Sequence, residues 1–112
     1  MAHRILVIGG GRPGYFAASE EEKRDLFLPA FRAVLARWEE LGARVVASFC
    51  DDVLQVGPTA TAWYLIFELD DLATGAEMMA AARGLERYVT FELRIGRPFW
   101  AREESAASIG AP

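Results

Sequence analysis

The chain has 112 residues, 53% of them hydrophobic, which suits one ordinary domain with its own core and excludes a wholly disordered chain or a pair of domains. Its 12 basic and 16 acidic residues are well mixed and leave a net charge of −4, so the basic face that phosphate contacts demand is missing, and nucleic acid and anionic membranes are disfavoured as partners. The single cysteine, Cys50, rules out an internal disulfide and a multi-cysteine metal knot.

Arg4 to Ile8 is a compact β-branched run and reads as the first strand, ended by a glycine loop from Gly9 to Gly14. Ser19 with Glu22 three positions later forms a capping box. Phe27, Phe31, Val34, Leu35, Trp38 and Leu41 then recur at helical spacing, with Gly42 as the C-cap. Pro29 either kinks this helix or starts a second helical piece. Ala43 to Cys50 is the second strand, followed by a turn-rich connection from Asp51 to Thr61. Trp63 to Leu69 is the third strand. Asp70 and Asp71 can cap the second helix, about Leu72 to Arg83, which Gly84 ends. Arg87 to Ile95 is the fourth strand. The domain spans residues 1–104, and the small-residue tail 105–112 is expected to be disordered. No apolar run approaches the ~18 residues that cross a bilayer, and the opening Met1–Ile8 stretch is too short for a secretory signal, so a cytoplasmic protein is expected.

This order, β-α-β-β-α-β, predicts an α+β, ferredoxin-like fold: a four-stranded antiparallel sheet with two helices on one face. The opposite face is left open, and it needs water, a ligand or a partner. Alternation assigns side chains to the two faces. Val45, Ala47 and Phe49, then Trp63, Leu65, Phe67 and Leu69, then Val89, Phe91, Leu93 and Ile95 are expected beneath the helices. Arg44, Val46, Ser48 and Cys50, then Tyr64, Ile66 and Glu68, then Tyr88, Thr90, Glu92 and Arg94 are expected on the open face. The first strand is apolar on both parities and takes no assignment.

A few polar groups in an apolar setting is how small-molecule pockets look. Glu68 and Glu92 are candidates for acid and base, or they are ion-pair partners of Arg44 and Arg94. Arg94 and Arg44 would stabilise negative charge on a substrate. Tyr64, Thr90, Tyr88 and Ser48 would bind and orient it. The catalytic set is therefore Glu68, Glu92 and Arg94, and the substrate-binding set Arg44, Tyr64, Thr90, Tyr88 and Ser48.

Gly9-Gly10-Gly11-Arg12-Pro13-Gly14 matches G-x-G-x-x-G after a strand. The helix cap comes only at Ser19 and Pro13 removes a donor, so the match reads as a glycine turn and not as a nucleotide cradle. His3 and Cys50 lack the neighbours of a metal site or a nucleophile, and no metal is expected. RNA-recognition domains share the element order. The third strand, Trp63 to Leu69, lacks their basic and glycine positions.

The order, the size, the long first helix Glu20–Leu41 ending in Gly42, the Leu69-Asp70-Asp71 entry into the second helix and the strand Tyr88–Ile95 resemble the dimeric α/β-barrel superfamily. Its members include small antibiotic-biosynthesis-type monooxygenases, polyketide cyclases, muconolactone isomerase-like proteins and aromatic-degradation accessory proteins. The resemblance is one of layout over about residues 3–100. It implies a homodimer, no metal or organic cofactor, and a small apolar, aromatic or polyketide-like compound held in the lumen between two sheets. Proton transfer, cyclisation, isomerisation or oxygen insertion is the chemistry it implies. A non-catalytic small-molecule binder or a structural dimer of the same fold is the alternative. Aromatic residues near the ends, Tyr15, Phe16, Phe99 and Trp100, also favour self-association.

Overall fold

A computed structural model of the chain describes residues 3–54, 56–57 and 62–96. The expected tail, 105–112, and the pair Phe99–Trp100 lie outside the described residues. Strands β1 (His3–Gly11), β2 (Arg44–Cys50), β3 (Trp63–Leu69) and β4 (Val89–Ile95) form one antiparallel sheet in the order β2-β3-β1-β4. Between them lie α1 (Pro13–Ala17), α2 (Glu20–Glu22), a π-helical turn Lys23–Phe27, α3 (Leu28–Glu40) and α4 (Ala73–Ala81), the last followed by a 3₁₀ turn Ala82–Leu85. This is the ferredoxin-like α+β arrangement, with α3 and α4 as its two main helices.

Local chemistry accounts for the elements. Ser19 caps the first helical stretch by accepting from the Glu22 backbone N–H at 3.0 Å. Pro29 would clash with the carbonyl four residues back in a regular helix. The π turn before it relieves this: one extra residue widens the turn, and Leu28 N–H reaches the Lys23 carbonyl. α3 ends where Gly42 takes φ +104°, a conformation that β-carbons disfavour. Asp71 accepts from Ala73 N–H at 3.0 Å and opens α4.

The core lies between the helices and one sheet face. Trp38 is fully buried, edge-on to Phe67 at 5.6 Å and to Phe91 at 5.4 Å, and its indole N–H donates to the Met78 carbonyl at 2.8 Å. Ile5, Val7, Val34, Leu69, Met78 and Leu85 complete it. Burial of Ile5 and Val7 settles the faces of β1: Arg4, Leu6 and Ile8 point the other way, into the open face.

Three expectations change. The glycines do not turn the chain. β1 runs on through Gly11, with Gly9 opposite both Phe91 and Trp63. A β-carbon at Gly9 would lie 3.1 Å from the Phe91 ring and 3.2 Å from that of Trp63, so glycine there makes room for two aromatic rings. Tyr88 does not belong to the fourth strand. Its N–H closes a turn onto Leu85, and its ring is buried against Phe27 at 5.3 Å, among the core residues. The strand alternation begins only at Val89, so it does not extend back to Tyr88.

The third change is in β2. A bulge between Val45 and Ala47 shifts the register, so that Val45 faces Phe67, Ala47 faces Ile66, Ser48 faces Leu65, Phe49 faces Tyr64 and Cys50 faces Trp63. One extra residue reverses the parity beyond it. Ala47 and Phe49 therefore share the open face, while Ser48 and Cys50 share the helix side.

Candidate functional site

The open face is built from alternate residues of all four strands. Leu6, Ile8, Ile66, Ala47, Phe49 and Tyr64 make its apolar and aromatic middle. Phe49 is 55% exposed, and Leu6, Ile8, Ile66 and Tyr64 are half-buried.

One end of the face is charged. Arg4 Nη2 donates to Glu68 Oε1 at 3.3 Å, and Arg44 Nη2 lies 3.9 Å from the other oxygen of Glu68. Arg44 also forks onto both oxygens of Asp70, with both bonds at 3.1 Å. The hydrogen bond and charge of Arg44 hold the Asp70 carboxyl below its usual value, and the same bond from Asp70 raises Arg44. Asp70, read from sequence as a helix cap, is therefore an arginine partner, and only Asp71 accepts a backbone N–H at the entry to α4.

Toward the other end of β3, the Phe49 and Tyr64 rings stack, with centroids 4.9 Å apart and planes at 22°. The Tyr64 hydroxyl donates to Asp51 Oδ2 at 3.3 Å. The second Asp51 oxygen accepts from Ala62 N–H at 2.9 Å, which fixes the carboxylate in place. Loss of hydration, then the charge of Asp51, then this hydrogen bond push the Tyr64 phenol above its usual range. Tyr64 thus stays a protonated hydroxyl through neutral pH, oriented beside an aromatic plate. Such a pair can stack on a flat ring and hydrogen-bond an oxygen on it.

Along β4, Arg94 Nη2 donates to Glu92 Oε2 at 3.2 Å, and Thr90 Oγ1 lies 3.5 Å from the Gly10 carbonyl. Glu68 pairs with Arg4 and Glu92 with Ile8, on opposite sides of β1. Four residues along the strands and two strand spacings across put the two carboxylates about 16 Å apart in one subunit, too far to serve one bond together. Each instead has an arginine at hand, the ion-pair alternative read from the sequence.

Of the sequence-derived residues, Arg44, Tyr64, Glu68, Thr90, Glu92 and Arg94 share the open face. Ser48 and Tyr88 do not join them. Ser48 is turned by the bulge, and Tyr88 is taken into the core. Sequence reasoning missed Arg4, Phe49 and Asp51. The unassigned parity of β1 concealed Arg4 and the bulge concealed Phe49. Asp51 gave one signal, a carboxylate directly after a strand that ends level with Trp63, next to Tyr64. Cys50 is half-buried opposite Trp63. Among the described residues no three of His, Cys, Asp and Glu converge as metal ligands would, and no helix is long and apolar enough to cross a membrane.

No protein-family model matches the sequence, and no curated protein is similar to it. Solved structures do resemble it. The RPA0582 protein of unknown function from Rhodopseudomonas palustris superposes with a TM-score of 0.59 at 20% identity, over 88% of this chain and 85% of that one. SnoaB, a cofactor-independent oxygenase from Streptomyces nogalater, superposes with a TM-score of 0.50 at 13% identity, over 92% of this chain and 98% of its own. At these identities the likeness is one of fold: the chain shares the ferredoxin-like α+β fold of both.

Proposed function

We propose that two copies of this chain pack sheet to sheet and enclose a lumen that takes a small apolar compound, aromatic or polyketide-like, for cofactor-independent chemistry. One observation carries the reading: an apolar surface left unpartnered from the middle of the open face out through the edge strand. Val46 and Phe49 on β2 are 44% and 55% exposed, and Val53, Leu54 and Val56 beyond it are more exposed still. β2 pairs on one side only, and an edge strand with free backbone groups and apolar side chains invites association. A second copy is the occupant that fits, because the face carries both signs of charge at its rim and so is self-complementary under a twofold axis.

In the closed lumen Phe49 and Tyr64 would stack on the compound, and the Tyr64 hydroxyl would meet its oxygen. Arg44 and Arg94 would answer negative charge that develops on an enolate. Glu68 and Glu92 would move protons, each on its own or against the partner copy's residues. Thr90 would help to orient the compound. SnoaB, described as a cofactor-independent oxygenase, is a fold relative whose activity agrees with this chemistry and does not establish it. A second reading, a binder without turnover, is favoured by Glu68 being engaged by two guanidinium groups.

The test is a nuclear magnetic resonance titration with 1-naphthol, a neutral aromatic probe. Signals of Phe49, Tyr64 and Ile66 are expected to move in a dimer. Shifts confined to the helix side, or none, would overturn the reading. With a compound that turns over, Glu68→Gln and Glu92→Gln are each expected to slow the reaction by roughly 10²–10⁴-fold if the residue transfers a proton. Full activity in both variants would remove the carboxylates from the chemistry and leave the binder.

A further inference from the structure

A cavity lies at the edge of the sheet, where the end of α4 and the 3₁₀ turn meet the beginning of β4. Its volume is about 410 Å³, within the range of small-molecule sites, and it opens to solvent. Met79, Val89 and Phe91 give it an apolar floor, and Arg12, Arg83 and Glu86 stand around it.

The charges around it are unusual for this chain. Arg4, Arg24, Arg37, Arg44, Arg87 and Arg94 each pair with a carboxylate. Among the described residues, Arg12, Arg32 and Arg83 have no such partner, and two of these three stand at the cavity, where Glu86 has no cationic partner. Two guanidinium groups against one carboxylate leave the cavity with a net positive charge above a hydrophobic floor.

The wall that carries Arg12 is also set in advance. Arg12 N–H donates to the Tyr88 carbonyl at 2.8 Å, and the Arg12 carbonyl accepts from Tyr15 N–H at 2.9 Å. Two residues on, Gly14 packs so closely that a β-carbon would fall 2.2 Å from the Arg87 carbonyl oxygen. Arg12 therefore comes from a segment clamped onto the start of β4 and not from a free loop. A guanidinium whose backbone is fixed loses less freedom on binding.

We propose that this cleft is a binding site for a small amphipathic organic anion, its apolar body on Met79, Val89 and Phe91 and its carboxylate or enolate between Arg12 and Arg83. Glu86 supplies a polar contact at the rim, which favours a ligand that also carries a hydrogen-bond donor such as a hydroxyl. The site stands apart from the lumen and does not depend on dimerisation.

Calorimetry with 1-naphthoate and with 1-naphthol, which differ in charge and little in size, tests it. 1-Naphthoate is expected to bind the cleft and to weaken with added salt. Arg12→Gln and Arg83→Gln should each reduce its affinity about tenfold, the effect of one charge-assisted contact. Glu86→Gln should strengthen binding several-fold, a gain that damaged folding could not produce. Amide shifts should fall on residues 79–91, whereas lumen binding of 1-naphthol should fall on residues 64–68. No binding of 1-naphthoate, equal binding of the two compounds to the cleft, or affinity unchanged in an Arg12→Gln/Arg83→Gln double variant would overturn the proposal.

Discussion

Ile66→Asp is the sharpest perturbation of the open face. Ile66 sits at the centre of the sheet, opposite Leu6 on β1 and Ala47 on β2, with its side chain half-buried in one subunit. Full burial of an isoleucine is worth about 1.5–3 kcal/mol. Covering the remaining half therefore contributes about 1 kcal/mol per subunit, and the twofold axis doubles that to about 2 kcal/mol. The introduced carboxylate is short and cannot reach the rim. It would lie on the same strand and face as Glu68, so each copy adds at least ~1 kcal/mol of uncompensated desolvation and repulsion. The total of about 4 kcal/mol corresponds to roughly a 10³-fold rise in the dimer dissociation constant. Sedimentation equilibrium over a wide concentration series reads this directly, with far-ultraviolet circular dichroism to verify that the monomer stays folded. A parent chain that is monomeric throughout, or a variant that dimerises as well as the parent, would refute the reasoning.

Three further outcomes are expected. Trp38→Phe should cost about 1.5–3 kcal/mol in urea unfolding, because it forfeits the indole hydrogen bond to Met78 and leaves part of a fully buried volume empty; an unchanged midpoint would show that the indole is not central to the core. In a spectrophotometric titration of the tyrosines, the Tyr64 transition should lie above the ordinary phenol range, and Asp51→Asn should bring it down, since the charge that opposes ionisation is gone. The Asp70 carboxyl is held below its ordinary value of 3.8, so the stability from its bond to Arg44 is complete above about pH 4 and is lost as the pH falls through the lowered value. Asp70→Asn should make stability less steeply dependent on pH in that acid range, and an identical slope in urea-unfolding series would contradict the pairing.

The element order, the two caps and the core stripe of α3 were legible because each rests on local periodicity or on a short capping pattern. Ser19 with Glu22, the run Phe27 to Trp38 and the alternation Val89 to Ile95 carry their own structural signal. The glycine run was misleading for a tertiary reason. Gly9 stays in β1 because Phe91 and Trp63 arrive from two other strands, and nothing within the run itself announces them. Tyr88 was misplaced because the strand was extended two residues too far, through Arg87 into a turn closed by Leu85. These errors share a cause: the pattern of a segment says which period it follows, and its neighbours decide where that period starts and stops.

The Val46 bulge shows how far one such decision reaches. With regular pairing, β2 would present Ser48 and Cys50 to the open face and turn Phe49 toward the helices. The inserted residue exchanges them, and Phe49 comes to lie on Tyr64. A hydroxyl and a thiol are thereby removed from the candidate site and an aromatic plate is added, at the place where Asp51 already orients the only tyrosine on that face. The site changes from one suited to polar or nucleophilic chemistry into one suited to stacking and hydrogen bonding on a flat ring. Deleting Val46 would straighten the strand yet leave Ala47 opposite Ile66 and Phe49 opposite Tyr64, so the Phe49–Tyr64 stack and 1-naphthol binding are expected to survive, together with the Trp38 core and the cleft at Arg12 and Arg83. Fluorescence of the buried indole and 1-naphthoate calorimetry would report the core and the cleft, and loss of 1-naphthol binding alone in this variant would contradict the assigned register.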